Sequence, residues 1–310
     1  MRYLIDPERS VRKLLSLLCL FFALFVTPAQ AALKVLSCEP EWASLLNELA
    51  GQQVSVTSAT TAWQDPHHIE ARPSLIARAR SADLLVCTGL ELEVGWLPIL
   101  LQQSANAKIA RGSSGNFIAG DLVPHLDVPT RVDRSEGDVH ASGNPHIQQD
   151  PRNIALIAAA LSERLSILDP KNKAYYQARY QDFSARWSSA MQRWAAQAKP
   201  LQGVAVVEHH QNMEYLLAWL GMRRVGVLEA KPGIEPTAAH LNQLRAQLQN
   251  TPAKMILRAA YQDDRASLWL SERAHIPAVR LPFTVGGSPQ AQDLFGLFDD
   301  TLQALLAAAK

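Results

Sequence analysis

The sequence predicts an α/β protein with two lobes, each built on a mostly parallel sheet flanked by helices, and one long rigid helix that joins the lobes. Three observations indicate this fold. Short runs rich in Val, Leu and Ile alternate with amphipathic helical patterns, as the βα units of parallel sheets do. The β-rich runs form two groups, one ending near residue 120 and one starting at residue 203. A long helical stretch separates the two groups.

Seven runs are predicted to be strands, because each is bounded by turn residues. They cover residues 33–38, 53–58, 83–88, 203–209, 224–228, 254–258 and 278–283. Helical spacing follows the first run, at Trp42, Leu45, Leu46 and Leu49, which repeat as one face of a helix does. The same kind of spacing occurs, approximately, at Leu241, Leu244 and Leu248 and, near the C-terminus, at Leu294, Leu297, Phe298, Leu302 and Leu305.

The joining helix is predicted to start after residues 168–170, with Asp169 as its N-cap and Pro170 at its first position. An apolar stripe follows at Tyr176, Tyr180, Phe183, Trp187, Ala190 and Trp194. This stripe is typical of a packing surface rather than of a cofactor site. A helix of about 27 residues would be roughly 40 Å long. The expected organisation is therefore an N-terminal lobe at 32–168, a linker helix at 169–199 and a C-terminal lobe at 200–310.

Residues 1–31 are predicted to be a secretory signal peptide. An apolar run covers 14–26, and the small residues Ala29 and Ala31 favour cleavage after Ala31. Four basic residues precede the run, at Arg2, Arg9, Arg12 and Lys13. The alternative, an uncleaved membrane anchor, is disfavoured because the run is too short to span a hydrocarbon core of about 30 Å. We therefore expect an exported, periplasmic protein.

Charge argues against nucleic acid or an anionic membrane surface as the partner. The chain has 30 Lys and Arg and 29 Asp and Glu, and residues 1–31 carry four of the former and two of the latter. The mature chain is thus close to neutral, which gives no electrostatic attraction to a polyanion.

Two cysteines remain after the signal peptide, Cys38 and Cys87, each at the end of a predicted buried strand. If those strands are neighbours, the sulfurs are able to pair in an oxidising compartment. Two free buried thiols are the alternative, and the residues alone leave both open.

Three of the nine histidines stand where a ligand site is expected. His67 follows the strand at 53–58 and His210 follows the strand at 203–209, and open α/β sheets bind ligands outside the carboxyl ends of their strands. His146 lies in "NPH", which repeats the "DPH" around His67. Proline stiffens the turn before each of these two side chains. Three converging imidazoles favour Zn²⁺.

Each His doublet is expected to supply one ligand, because adjacent side chains of extended backbone point to opposite sides. His68 and His209 are then neighbours of the site or spare ligands. Residues 120–145 are predicted to be a loop that carries His125 and His140. Asp138 and His140 are expected to be solvated, with transient metal capture as the alternative.

Several ordered segments resemble one protein family over nearly the whole mature chain. They are "DPHHIEARPS" at 65–74, "ADLLVCTGLELEVGWLP" at 82–98, "GNPHIQQDPRN" at 143–153, "LDPKNKAYY" at 168–176, "EHHQNMEYLLAWLGM" at 208–222 and "KPGIEPTAAHL" at 231–241. The chain is similar there to the metal-binding solute-binding proteins of bacterial ABC importers for zinc and manganese. The resemblance implies a metal site in the cleft between the lobes and delivery of the ion to an inner-membrane ABC permease.

Carried over by motif, the resemblance makes His67, His146 and His210 the metal ligands. Manganese-selective relatives replace one histidine with a carboxylate, so three histidines favour zinc, the transported ion. The family usually adds an Asp just after the last strand, where this chain reads "VRLPFTVGGS" at 279–288. No carboxylate stands in this segment. The candidates for the fourth ligand are therefore water, Asp65 and Glu208, in that order of preference.

A non-enzymatic, monomeric zinc receptor is therefore the expected function. A manganese or iron receptor of the same type is the nearest alternative. A secreted zinc hydrolase is disfavoured because no HExxH pair is present. A surface adhesin has no support in the sequence.

Overall fold

The computed structural model describes residues 32–131 and 137–310. The predicted signal peptide, residues 1–31, lies outside the described residues. Within the part that is described, no helix is long and apolar enough to cross a membrane.

The N-terminal sheet has four parallel strands in the order β2-β1-β3-β4. They are β1 (Leu33–Ser37), β2 (Val54–Ser58), β3 (Leu84–Cys87) and β4 (Asn116–Ile118). The first three were predicted. The fourth was missed because it is three residues long with a single buried side chain, which is too short to show a period of two.

The C-terminal sheet repeats this arrangement, with parallel strands in the order β6-β5-β7-β8. They are β5 (Ala205–Glu208), β6 (Arg223–Val227), β7 (Met255–Ala259) and β8 (Ala278–Leu281). All four were predicted. In each sheet the first strand in the chain pairs with the next two strands, so both lobes have a crevice at the carboxyl ends where a ligand can bind.

The helices of the described residues pack on both faces of the sheets. They are α1 (Pro40–Ala50), α2 (Pro73–Ser81), α3 (Leu97–Ser104), α4 (Pro151–Leu168), α5 (Lys173–Gln197), α6 (Glu214–Leu220), α7 (Ala238–Leu248), α8 (Arg265–Ala274) and α9 (Leu294–Ala308). Helices α1, α2 and α4 start with Pro40, Pro73 and Pro151. Proline is tolerated there because a backbone N–H in the first turn has no partner within the helix.

Helix α5 is the predicted connector and joins the two lobes. Its buried stripe is Tyr176, Phe183, Trp187, Ala190 and Trp194, and at about 1.5 Å per residue the helix is roughly 37 Å long. A 3₁₀ turn at Pro170–Asn172 precedes it. The predicted start at Pro170 was therefore wrong, since the helix begins at Lys173 and the Asp169 side chain makes no cap hydrogen bond. The Asp169 carboxylate instead accepts hydrogen bonds from the Asn172 amide and the Tyr176 hydroxyl. Asp169 therefore fixes the junction between α4 and α5 through side chains.

One apolar core runs continuously through both lobes. It contains β1 and β3 side chains of the first sheet, β5 and β7 side chains of the second, and the stripe of α5 between them. Two smaller clusters cover the opposite faces of the sheets, one in each lobe. This central core fixes the position of one sheet relative to the other, so that their carboxyl ends face the same cleft.

Cys38 and Cys87 form a disulfide. Of the two alternatives that the sequence left open, the structure therefore has the disulfide and not the two free thiols. The pairing follows from strand order, because β1 and β3 are neighbours. Cys38 directly follows β1 and Cys87 ends β3, with their Cα atoms 4.8 Å apart. That separation is usual for a disulfide.

Candidate metal centre

His67, His146 and His210 converge on one point. One ring nitrogen from each lies within 4.8 Å of the corresponding atoms of the other two. All three side chains are buried, with exposed fractions of 8%, 1% and 5%. His67 and His146 come from the predicted N-terminal lobe and His210 from the C-terminal lobe, so the group lies between the two sheets. The structure thus brings together the three histidines singled out in the sequence.

The "DPH" turn orients His67 from its own backbone. Oδ1 of Asp65 accepts hydrogen bonds from both the backbone N–H of His67, at 3.0 Å, and its ring Nδ1, at 2.7 Å. Burial alone would raise the pKa of Asp65, but the hydrogen bond and charge of His67 lower that pKa well below its usual range. A carboxylate in this position holds a proton on Nδ1 and leaves Nε2 as the free donor atom.

The "NPH" turn repeats this arrangement with an amide. Oδ1 of Asn144 accepts from the backbone N–H of His146 at 3.1 Å and from its ring Nδ1 at 2.9 Å. The Asn144 amide nitrogen donates to the carbonyl of Gln211 at 2.8 Å, which ties this turn to the segment of His210. The Asp or Asn two residues before each histidine was the signal that sequence reasoning missed, since only the intervening proline was used.

His210 is oriented by Glu229, which sequence reasoning did not single out. Oε2 of Glu229 lies 2.7 Å from His210 Nδ1 and also accepts from the backbone N–H of Gly233 at 2.7 Å. Glu229 follows β6, the neighbour of β5, so it emerges at the same edge of the sheet as His210. That position in the strand order is the signal that would have identified it.

All three imidazoles therefore have Nδ1 held by an oxygen acceptor and Nε2 directed to the shared point. Nε2 of His146 is buried and has no hydrogen-bond partner among the described residues. Burial and then the charges of His67 and His210 lower the pKa of His146 well below its usual value. A neutral imidazole in a fixed tautomer, as at His146, binds a divalent cation without first losing a proton.

The second member of each doublet lies beside the site. The His68 side chain is 65% exposed, with Nδ1 3.4 Å from Asp65 Oδ2. His209 is buried, and its Nε2 lies 3.7 Å from Glu229 Oε1. Each thus contacts the acceptor of its neighbour, as expected for a residue around the site, and neither belongs to the convergent group.

Neither carboxylate considered for the fourth position belongs to the convergent group. Asp65 is engaged by His67, as described above. Glu208 is fully buried, and burial followed by the charge of Glu214 raises its pKa to about 8. After β8, the ring of Phe283 lies against His146 with centroids 5.7 Å apart, so an apolar side chain covers the site on that side.

His140 is where the sequence-based expectation was wrong. It was expected to be solvated, but it is half-buried and its Nε2 lies 3.3 Å from Nε2 of His67. Its ring centroid is 5.3 Å from that of His67 and 6.3 Å from that of His146. Burial and then the charges of His67 and His210 lower the pKa of His140 to about 3. A fourth imidazole thus borders the site.

Buried carboxyl groups lie behind the histidines. Glu39, Glu41 and His146 line one small cavity. Burial raises the pKa of Glu41 to about 7, although Thr284 Oγ donates a hydrogen bond to it. Because Thr284 follows β8 and Glu41 is on α1, this hydrogen bond links the two lobes directly beneath the site.

A family model decides what kind of protein has this site. The model described as "Zinc-uptake complex component A periplasmic", ZnuA, matches residues 35–308. The chain belongs to the ZnuA family. The match covers both sheets and the helix between them.

Individual members of the ZnuA family and a solved structure agree with this assignment. The chain is 23% identical over 290 residues to the manganese ABC transporter substrate-binding lipoprotein PsaA of Streptococcus pneumoniae, across 88% of this chain and 90% of that protein. It is 28% identical over 197 residues to the high-affinity zinc uptake system protein ZnuA of Yersinia pestis, across 59% of this chain and 61% of that protein. A crystal structure of ZnuA has the same fold, with a TM-score of 0.69 and 19% identity over 88% of this chain and 99% of that one.

The ZnuA family fixes the general activity. Its members are substrate-binding proteins of metal ABC importers, not enzymes; they bind a metal ion outside the cytoplasm and work with a membrane permease. This chain is therefore a metal ABC transporter substrate-binding protein. Its relatives are named for manganese as well as for zinc, so the preferred ion depends on the donor atoms of this chain.

Proposed function

We propose that the protein is a periplasmic, high-affinity zinc receptor that delivers Zn²⁺ to an inner-membrane ABC permease. In this proposal His67, His146 and His210 are the zinc ligands, each through Nε2. The ion is the cargo, so it has to be bound selectively and later released.

The observation that carries the proposal is the chemistry of the convergent group, which consists of three imidazoles without a carboxylate. Zn²⁺ accepts imidazole nitrogen readily, at about 2.0 to 2.1 Å. Manganese prefers oxygen ligands, and all-nitrogen sites bind it more weakly than zinc. The carboxylates nearest the group, Asp65 and Glu229, are used to orient His67 and His210.

The hydrogen bonds to Nδ1 support high affinity. Each imidazole is held in one tautomer by Asp65, Asn144 or Glu229, so little freedom is lost when the ion binds. Because the ligands come from both predicted lobes, 32–168 and 200–310, zinc would draw them slightly together. The permease would then recognise that closed form.

The cellular setting is part of the proposal. The signal peptide at residues 1–31, with cleavage near Ala31, would send the mature chain to the periplasm as a soluble monomer. The described surface of this near-neutral protein offers no reason for it to bind nucleic acid.

Metal content and competition binding test the proposal. The purified protein is expected to bind one zinc ion per chain and to prefer zinc over manganese. Alanine at His67, His146 or His210 is expected to weaken zinc binding by more than the roughly 10- to 100-fold that the loss of an outer-shell partner costs. The matched control is His68→Ala, which removes a neighbouring but exposed imidazole.

Two results would contradict the proposal. A preference for manganese or iron in competition would make the protein a receptor for that ion. Unchanged zinc affinity in the three alanine variants would place the site elsewhere. Zinc-dependent hydrolysis that disappears with a chelator would instead support the hydrolase considered from the sequence.

A further inference from the structure

The separation between two ring nitrogens beside the site matches a metal-coordination distance. Nε2 of His140 lies 3.3 Å from Nε2 of His67. Two nitrogens bound to one tetrahedral zinc at about 2.0 to 2.1 Å are about 3.3 to 3.4 Å apart. We propose that His140 is the fourth zinc ligand, so that this chain binds zinc through four imidazoles. This inference rests on the proposed function, since it concerns the same ion at the same site.

The backbone on both sides of His140 is attached to both lobes. The N–H of Asp138 donates to the carbonyl of Pro232 at 2.9 Å, in the segment that follows Glu229. The N–H of Ala141 donates to Oε2 of Glu91 at 2.6 Å, in the N-terminal lobe. Residues 137–141 thus cross the cleft, and they hold the His140 ring over it.

The close approach to Pro232 requires glycine. Gly137 has a φ of +87°, and a Cβ atom there would collide with the Pro232 carbonyl. On the other side of this contact, Gly233 has a φ of +75°, and a Cβ atom there would collide with the Asp138 carboxylate. The N–H of Gly233 also donates a hydrogen bond to the Glu229 carboxylate. The position of His140 is therefore coupled through this contact to the residue that orients His210.

The other groups considered for the fourth position are less well placed. Asp65 accepts both hydrogen bonds of His67, and the charged groups that act on Glu208 are Glu214, Arg224 and Asp127 rather than the site histidines. Phe283 covers the ring of His146. Among the described residues, His140 is the side chain with a ring nitrogen at coordination distance from a member of the group.

A hydrogen bond between the two histidines is the competing explanation of the 3.3 Å separation. In that case the N–H of His140 donates to the Nε2 lone pair of His67. Zinc uses the same lone pair, so the hydrogen bond and the metal exclude each other. Once zinc is bound to His67, His140 must therefore either coordinate the ion or move away.

The chemical consequence is selectivity. A site of four nitrogens has no oxygen ligand, which disfavours manganese more strongly than three nitrogens and water do. His140 would thus be a specificity-determining residue, in the place where a carboxylate would make the site more suitable for a harder ion.

X-ray absorption at the zinc edge tests this directly, because imidazole rings give a scattering signature that can be counted. Purified protein loaded with one zinc is compared with His140→Ala and with His125→Ala. His125 is the matched control: it lies in the same loop, and its Nε2 is 2.9 Å from the carbonyl of Gly120. Four imidazoles are expected in the unchanged protein and in His125→Ala, and three imidazoles with one water oxygen in His140→Ala.

Competition binding provides a second readout. His140→Ala is expected to retain one zinc per chain with at least a 10-fold loss of affinity, on the scale of about 10- to 100-fold for changes around a metal. His140→Asp is expected to restore a four-ligand site and to raise manganese affinity relative to zinc. Three imidazoles in the unchanged protein, with the same count in His140→Ala, would overturn the inference and leave the zinc receptor intact. Failure of the unchanged protein to bind zinc would overturn both.

Discussion

Replacing Glu41 with glutamine is expected to remove part of the pH dependence of stability. Glu41 is 1% exposed, and burial raises its pKa from the ordinary 4.5 to about 7. Between these two pH values the folded protein keeps a proton that the unfolded chain releases. Stability therefore falls as the pH rises through this window, by about 3 kcal/mol for this one group, and stays lower above it.

Glu41→Gln keeps the oxygen that accepts the hydrogen bond from Thr284 and cannot ionise. The variant is expected to match the unchanged protein near pH 4.5 and to exceed its free energy of unfolding by up to about 3 kcal/mol near pH 8. Glu39 and Glu93, whose pKa values burial also raises, would account for the slope that remains.

The measurement is urea unfolding at several pH values, with a chelator present because bound metal would add its own stabilisation. Glu235→Gln is the control, since it removes one carboxyl group from an exposed position. An unchanged pH slope in Glu41→Gln, or an equal change in Glu235→Gln, would refute the reasoning.

Three further outcomes are expected. Asp65→Ala and Glu229→Ala should each weaken zinc binding by about 10- to 100-fold, because each releases the imidazole that it orients. Isothermal titration with a competing chelator measures this. An unchanged affinity would mean that zinc binding does not depend on these hydrogen bonds to Nδ1. Reduction, or the double replacement of Cys38 and Cys87 by serine, should lower the free energy of unfolding by about 2 to 5 kcal/mol, measured in urea. Trp187→Ala should cost about 3 to 5 kcal/mol by the same assay, since this side chain is fully buried in the core between the lobes; a loss below 1 kcal/mol would contradict the continuous core.

The three convergent histidines were predictable because their positions follow from strand ends. His67 and His210 lie after β2 and β5, and parallel sheets place such residues at one edge. Proline before His146 marked a second stiff turn of the same kind. The acceptors were harder to predict, because Glu229 becomes relevant only when β6 is known to be the neighbour of β5.

His140 and the disulfide show where local sequence is insufficient. A loop rich in Gly, Pro and Asp predicts solvent exposure, whereas the contacts of its backbone with Pro232 and Glu91 place His140 over the cleft. The pairing of Cys38 with Cys87 depended on whether β1 and β3 are adjacent. Strand order is set by the packing of the crossover helices, which single-sequence periodicity does not show.

The core that runs through helix α5 has a consequence for which part of the protein moves when the cargo enters or leaves. Wide separation of the two sheets would expose the buried aromatic side chains between them, at a cost of about 25 cal/mol for each Å² of apolar surface. Movement of a five-residue segment such as 137–141 would break only a few hydrogen bonds. The motion that opens the site would then occur on the ns to µs timescale of loops rather than the µs to ms timescale of domain rotation, and the permease would need to displace one short segment to reach the ion.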